Sequence, residues 1–445
     1  MALDITAAAV DSALLDLPWD VPLEQWPSSL LAALPRGISR HVVRFVNLSG
    51  RVLAVKEIGE TVAHHEYDML RDLTRLDALI LPGGESTTLL RLLDAFGLTQ
   101  ADAPSVLPVA VITGRKDPEG EELNAVLVTE HLKFSLPYRA LFSLSMRADT
   151  ATRLIDALAL LLVRLHLLGF YWGDVSLSNT LFRRDAGAFS AYLVDAETGE
   201  LHGTLTPGQR EYDVDLARTN IIGELMDLQA GGYFPMDVDP IDVGDRIRTQ
   251  YDLLWREVTA EESIPNEQRR YLVNERIRRL NDLGFDVAEL RMATDNGGDH
   301  LLIQPKVVDA GHHNRKLMRL TGMDVGEHQA RRLLADIDAW RATSGLEDIP
   351  LEQAAHKWLT DEFTPVVRAI PRELAGKLEP AQLYHEFLEH RWYMAQQAGH
   401  DVPRDEVVAS YINTVLASKR DEAVLLEPGP GRSSMLSAEA HPDLW

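Results

Sequence analysis

One stretch constrains this chain more than any other. After the almost wholly apolar run LIDALALLLVRLHLL, the sequence turns polar in GFYWGDVSLSNTLF and then reads AYLVDAETGE. Asp174 and Asn179 are five residues apart on the polar loop, and Asp195 ends an apolar strand sixteen residues later. The pattern predicts a helix, a loop and a strand pair set around three oxygen-bearing side chains. Such oxygens are hard ligands suited to a divalent cation. Taken singly, each is an ordinary turn or strand-end residue.

The outer bounds narrow the reading. A chain of 445 residues predicts two or three domains, since one core stops growing well below that length. With 45% hydrophobic and 25% charged residues, the composition is that of a globular protein. The net charge of −24 repels a phosphate backbone, so no nucleic-acid partner is expected. There is no cysteine, which removes disulfides, thiolate zinc sites and any cysteine nucleophile. The opening MALDITAAAVDSALLDLPWD has no basic segment before an apolar core, so no signal peptide is expected. The longest apolar stretch carries Asp156, Arg164 and His166 and predicts a buried helix, not an integral membrane segment. These features together predict a cytoplasmic protein.

Along the chain, HVVRFVNL and RVLAVKEI predict a hairpin about Ser49-Gly50. Val62, Tyr67, Met69, Leu70 and Leu73 recur with helical spacing. Two strands follow, VLPVAVITG and NAVLVTEHL, then a helix over 149–168. A second hairpin is expected near 192–205 and helices from Glu211 onward, interrupted by one hairpin near 287–308. The expected organisation is a helical extension at 1–36, a first domain at 37–230, a mainly helical domain with one hairpin at 231–425, and a flexible Gly-, Pro- and Ser-rich tail at 426–445.

The Asp174, Asn179 and Asp195 spacing resembles the catalytic loop and metal-binding segment of the protein-kinase-like fold. Other matches lie in the right order. Lys56 in VLAVKEI resembles the strand lysine that reaches the α- and β-phosphates, and Glu66 in HHEYDMLRDL its partner. Thr129-Glu130-His131-Leu132 falls where a nucleotide hinge belongs, with Glu130 and Leu132 as candidate nucleotide contacts. Asp215 in YDVDLARTNIIGEL falls where an aspartate braces the catalytic loop. The first 230 residues or so resemble atypical kinase-like domains of the lipopolysaccharide-core kinase and small-molecule phosphotransferase kind. The whole chain, including GHHNRKLMRLTGMDVGEHQARRLLADI, resembles a family of uncharacterised bacterial proteins that join such a domain to one of unknown function.

The resemblance implies an α+β architecture, a two-lobed kinase-like fold followed by mainly helical structure. It implies ATP and Mg2+ as cofactors. Asp174 would take the acceptor hydroxyl's proton, Asn179 and Asp195 would hold Mg2+, and Lys56, supported by Glu66, would hold the phosphates. The acceptor, a sugar, lipid-linked head group or other small molecule, is not specified. The alternative is a nucleotide-binding pseudokinase whose C-terminal helices meet a protein partner. This chain departs from the pattern at Trp172, where a histidine is usual, at Gly173, where an arginine often stands, and at Asp195-Ala196-Glu197, where Asp-Phe-Gly is usual. Only Gly37 precedes the first hairpin in place of a glycine-rich loop, so backbone amides over 37–40 are the candidate phosphate grip.

Two segments remain. LDALILPGGESTTLLRLLDAFGL resembles the glutaminase subunit of pyridoxal phosphate synthase over about twenty residues, with Gly83, Gly84, Glu85 and Ser86 in the glutamine-seating loop. Without a cysteine it cannot be a working glutaminase. It reads as an insertion at 79–103 that can lower or regulate activity through the helix bearing Glu66. KVVDAGHHNRKLMRLTG gathers Lys306, His312, His313, Arg315, Lys316 and Arg319, either a site for an anionic substrate or a basic face paired with the acidic surplus. Adjacent His312 and His313 point about 100° apart on a helix, which argues against a shared metal.

Overall fold

The structure is a computed structural model that describes residues 3–7, 11–32, 40–48, 50–79, 104–142, 148–265, 269–294 and 300–419. Gly37, most of the proposed insertion (80–103) and the tail at 426–445 lie outside these residues.

A five-stranded antiparallel sheet opens the fold. Its strands are β1 (Asp4–Ala7), β2 (Val42–Leu48), β3 (Arg51–Ile58), β4 (Pro108–Thr113) and β5 (Ala125–Glu130), in the order β1-β4-β5-β3-β2. Both faces of β5 are buried, so the period of two sorts its side chains between two cores. Val126 and Val128 join one, while Ala125 and Leu127 face Ala63, Tyr67, Leu70 and Leu73 of helix α1 (Glu60–Leu79).

The described residues of the N-terminal segment, expected to be helical, form no α-helix. They supply the edge strand β1 and three short 3-10 turns, Ser12–Asp16, Leu23–Gln25 and Ser28–Leu30. Pro18, Pro22 and Pro27 sit between or just before these turns, where the missing N–H and fixed φ prevent a continuous helix. Leu14, Leu23, Trp19 and Trp26 cover the outer face of the sheet instead, the two indoles meeting edge-on at 5.3 Å. The buried Arg115 staples this cover down, donating to the carbonyls of Trp19 (2.9 Å) and Val21 (2.6 Å) while pairing with Glu57 at 2.7 Å.

Beyond the sheet come helix α2 (Ala148–Leu167), the short strands β6 (Ser135–Pro137) and β7 (Phe170–Tyr171), and the hairpin β8 (Thr180–Asp185) and β9 (Ala188–Leu193). The hairpin expected near 192–205 is therefore displaced. The true partner of β9 is β8, and β10 (Glu200–Leu201) pairs with β7. The β8–β9 turn has φ of 49° at Ala186 and 86° at Gly187, the double positive φ of a tight hairpin turn.

Helix α3 (Pro207–Ala230) starts at a capping box formed by Thr206 and Gln209, with Pro207 in its first turn. Helix α4 (Pro240–Thr259) packs against α2 and α3. Its Ile247, Tyr251, Leu254 and Val258 belong to the same core as Leu158, Leu162 and Ile221, and that core reaches Leu280 and Phe285. Residue 230 is thus no break in the packing.

Strands β11 (Glu262–Pro265), β12 (Phe285–Thr294) and β13 (His300–Ala310) form a three-stranded sheet, where the sequence predicted a hairpin alone. The longer helices beyond α4 are α5 (Arg269–Asp282), α6 (His312–Thr321), α7 (Glu327–Thr343), α8 (Leu351–Trp358), α9 (Pro380–Ala398) and α10 (Arg404–Thr414). A separate core of Leu317, Leu333, Ile337, Trp358, Tyr384 and Tyr411 joins α6 to α10. The architecture is α+β. Among the described residues no helix is long and apolar enough to cross a membrane.

Candidate active site

Strand period and helix period meet at Lys56. On β3, Leu53 and Val55 face the N-terminal cover, so Lys56 faces α1. On α1 the buried stripe runs through Ala63, Glu66, Tyr67, Leu70 and Leu73, which places Glu66 inward at 1% exposure. Lys56 Nζ lies 2.9 Å from Glu66 Oε2 and 2.9 Å from Asp195 Oδ2, with Glu197 at 4.0 Å.

The charge balance of this cluster is negative. One ammonium faces three carboxylates whose oxygens lie within 4.8 Å of one another. Burial pushes Glu66 up to about 7, and Asp195 adds to the rise while Lys56 opposes it. Burial works against the charge on Lys56, but Glu66 and Asp195 outweigh it and hold the lysine above its usual value. Arg40 and His41, just before β2, close over Glu197, the first as an ion pair and the second at 3.3 Å.

The polar loop lies beside this cluster. Asn179 Nδ2 donates to both the backbone carbonyl and the carboxylate of Asp174, at 3.0 Å each. The residue that braces the loop is not Asp215. That side chain is exposed and paired with Arg248 on the surface. Asp213, fully buried, accepts from the backbone amides of Trp172 (2.9 Å) and Gly173 (2.8 Å) and lies 3.1 Å from His166 Nε2. Two helix positions rotate a side chain by about 200°, which separates an inward aspartate from an outward one. The signal was present in the sequence: Asp213, Ala217, Ile221 and Leu225 form one stripe at i, i+4, i+8 and i+12.

Two further residues have roles that sequence reasoning did not assign. Trp172, in place of the usual histidine, is fully buried, and its indole N–H donates to the Asp195 carbonyl at 3.1 Å. Glu224 accepts from the amides of Leu177 (3.0 Å) and Ser178 (2.9 Å) and from the Ser178 hydroxyl. Burial raises the pKa of Glu224, and its bonds to Ser178 and Leu177 oppose that. It lies on the same stripe of α3, three residues after Ile221.

A cleft of about 790 Å3 opens between these groups. Lys56, Asp174, Asn179 and Asp195 line it, and so do Glu130 and Leu132 on the expected hinge. Glu130 pairs with Arg51 at 2.7 Å, while Leu132 is buried. His131 is buried against Phe45, and that burial pushes its pKa down to about 4. Of the basic stretch, His313 is engaged by Glu327 and Arg315 by the Ala310 carbonyl, as a basic face paired within the fold would be.

The molecule is thus an α+β protein with a polar cleft between an antiparallel sheet and a helical body. Residues 253–416 match the family model described as Domain of unknown function (DUF4032). Over 92 residues the chain is 38% identical to pyridoxal 5'-phosphate synthase subunit PdxT of Staphylococcus haemolyticus (strain JCSC1435), covering 19% of this chain and 44% of that protein. The subunit of Staphylococcus aureus (strain JH9) is 35% identical over 102 residues, 21% of this chain and 48% of that protein. The chain spans less than half the length of these curated relatives, yet the matched length exceeds the twenty or so residues of the resemblance read in the sequence. Among solved structures, WaaP in complex with acyl carrier protein is similar at a TM-score of 0.33 and 15% identity, covering 64% of this chain and 99% of that one.

Proposed function

We infer that the cleft binds ATP with Mg2+ and that the protein transfers a phosphoryl group to a hydroxyl acceptor, a small molecule or lipid-linked head group, within a two-lobed kinase-like body. One observation carries this reading. Lys56 is held between Glu66 and Asp195 at 2.9 Å each, in the cleft that also holds Asp174 and Asn179.

The roles follow from the chemistry of the groups. The Asp195 carboxylate and the Asn179 amide oxygen are hard donors that fit Mg2+, the amide nitrogen of Asn179 being already committed to Asp174. Bound there, Mg2+ would offset the negative charge of the phosphates. Lys56, kept charged by its carboxylates, reaches the phosphates, and Glu66 orients it. Asp174 takes the proton of the acceptor hydroxyl. Asp213 holds the backbone just before that aspartate at Trp172 and Gly173, Glu224 holds it just after at Leu177 and Ser178, and Leu132 and Val43 offer apolar surface to a base. Arg40, which lines the cleft, offers a cation to the phosphates in place of a glycine-rich loop.

One observation favours a non-catalytic nucleotide binder as the second reading. Arg40 is already paired with Glu197 beside Lys56, so the cation nearest the phosphate end is engaged by a carboxylate.

Thermal unfolding with and without MgATP, on the wild type and on Asp195→Asn, tests the site. A ligand at a hundred times its dissociation constant adds about 2.7 kcal/mol of stability. The wild type should shift upward in a Mg2+-dependent manner and the variant should not. No shift in the wild type refutes nucleotide binding. Asp174→Ala separates the two readings, because it abolishes transfer in an enzyme and leaves ATP binding in place.

A further inference from the structure

The hairpin β8–β9 links the two residues read above as cation ligands. Asn179 directly precedes β8, and Asp195 lies two residues beyond β9. The strands stay in register from Thr180 opposite Leu193 to Asp185 opposite Ala188. At about 3.3 Å per residue, the turn of this hairpin lies roughly 20 Å from the cleft.

The far end is gripped by the C-terminal region. Asp185, 1% exposed, accepts from the backbone amides of His328 (3.2 Å) and Gln329 (2.6 Å) in the first turn of α7, and from the Ser190 hydroxyl at 2.7 Å. A carboxylate there meets the positive end of the helix and two otherwise unpaired N–H groups. The contact is close: a Cβ at Gly326 would lie 2.5 Å from the Asp185 carboxyl. Two residues earlier on the same face of β8, buried Arg183 pairs with Glu379, just before α9, at 2.6 Å. Gln329 then ties α7 to α9 through the Ala381 carbonyl at 2.5 Å.

We propose that the C-terminal region matched as a domain of unknown function is a positioning clamp, which grips β8–β9 at Asp185 and Arg183 so that Asn179 and Asp195 keep the spacing a cation needs. This rests on the reading of those two residues as cation ligands. Asp185, Arg183 and Glu379 are positioning residues, since none of them lines the cleft. A buried charge pair removed from water adds little net stability, and its geometric specificity is what it contributes here. The coupling is reciprocal by linkage, so MgATP at one end of the hairpin tightens α7 at the other.

Hydrogen exchange on the full-length chain, with and without MgATP, tests the clamp. MgATP should slow exchange around Lys56 and Asp195, and also at the amides of His328 and Gln329. In Asp185→Asn and, separately, Glu379→Gln, the Mg2+ concentration for half-maximal protection at the cleft should rise about fivefold or more. Protection at the cleft, with none at α7 and no change of Mg2+ dependence in either variant, overturns the clamp and leaves the nucleotide site standing. No protection by MgATP anywhere in the wild type overturns the nucleotide site and the clamp with it.

Discussion

Asp213 offers the sharpest prediction. Its carboxylate is fully buried; Oδ2 serves Trp172 N and His166 while Oδ1 serves Gly173 N. In Asp213→Asn one oxygen becomes an NH2 group. Whichever way the amide turns, at least one backbone N–H loses its acceptor and the new NH2 faces a donor. Each stranded buried group costs about 1 to 3 kcal/mol, so the substitution should cost about 2 to 5 kcal/mol. Asp215→Asn, two positions on, loses only a solvent-exposed pair with Arg248 and should cost about 0 to 1 kcal/mol. Equilibrium urea unfolding followed by tryptophan fluorescence suits the comparison, since Trp172 is buried at the altered contact. If Asp215→Asn proves as costly as Asp213→Asn, the assignment of the brace is wrong.

Three further outcomes follow. His131 is neutral in the fold, with its pKa pushed from 6.5 to about 4 by burial, so its contribution is fully present above pH 6.5 and lost as pH falls toward 4. His131→Phe should therefore flatten the acid limb of stability between those pH values, by up to about 3 kcal/mol; an unchanged limb would show that this histidine does not carry the loss. Gly169 has φ of 78° and a backbone carbonyl, that of His202, only 2.1 Å from where a Cβ would sit. Gly169→Ala should cost about 3 kcal/mol or more in urea unfolding, whereas Gly187→Ala, with φ of 86° and open space, should cost only the strain of about 1 kcal/mol. Trp172→Phe removes the donor to the Asp195 carbonyl, and Mg2+ dependence of the MgATP thermal shift should weaken; Trp172→His, which restores an N–H, should recover part of it.

What could be read in advance was local and periodic. The hairpin of β2 and β3, the strands β4 and β5, and α2 all follow from side-chain period within one segment, whereas the pairing of Lys56 with Glu66 came from the resemblance to the kinase-like pattern. The sequence reading named Asp215 alone, because motif order without the helical stripe does not bring out the aspartate two residues before it. A helical extension at 1–36 does not form over the described residues because Pro18, Pro22 and Pro27 divide it. The β8–β9 hairpin was missed because its turn is Ala186-Gly187, which carries none of the usual Asn or Asp signal. Glu224 and the Asp185 cap depend on which helix end meets which loop, and that pairing joins residues 46 and about 143 positions apart in sequence.

The sharing of one core by α2, α3 and α4 bears on how such a chain can be inherited. A gene fragment ending at codon 230 would encode α3 without the helix that covers it, leaving the partners of Ile247, Tyr251 and Leu254 facing water. Recombination at that point would yield an aggregation-prone product, so the first body can be passed on whole only with the residues up to about Phe285. Since the matched family segment begins at residue 253, inside α4, its opening stretch up to Phe285 packs into the core of the first body. Lineages that carry the two parts together have no seam there at which to trade one of them away.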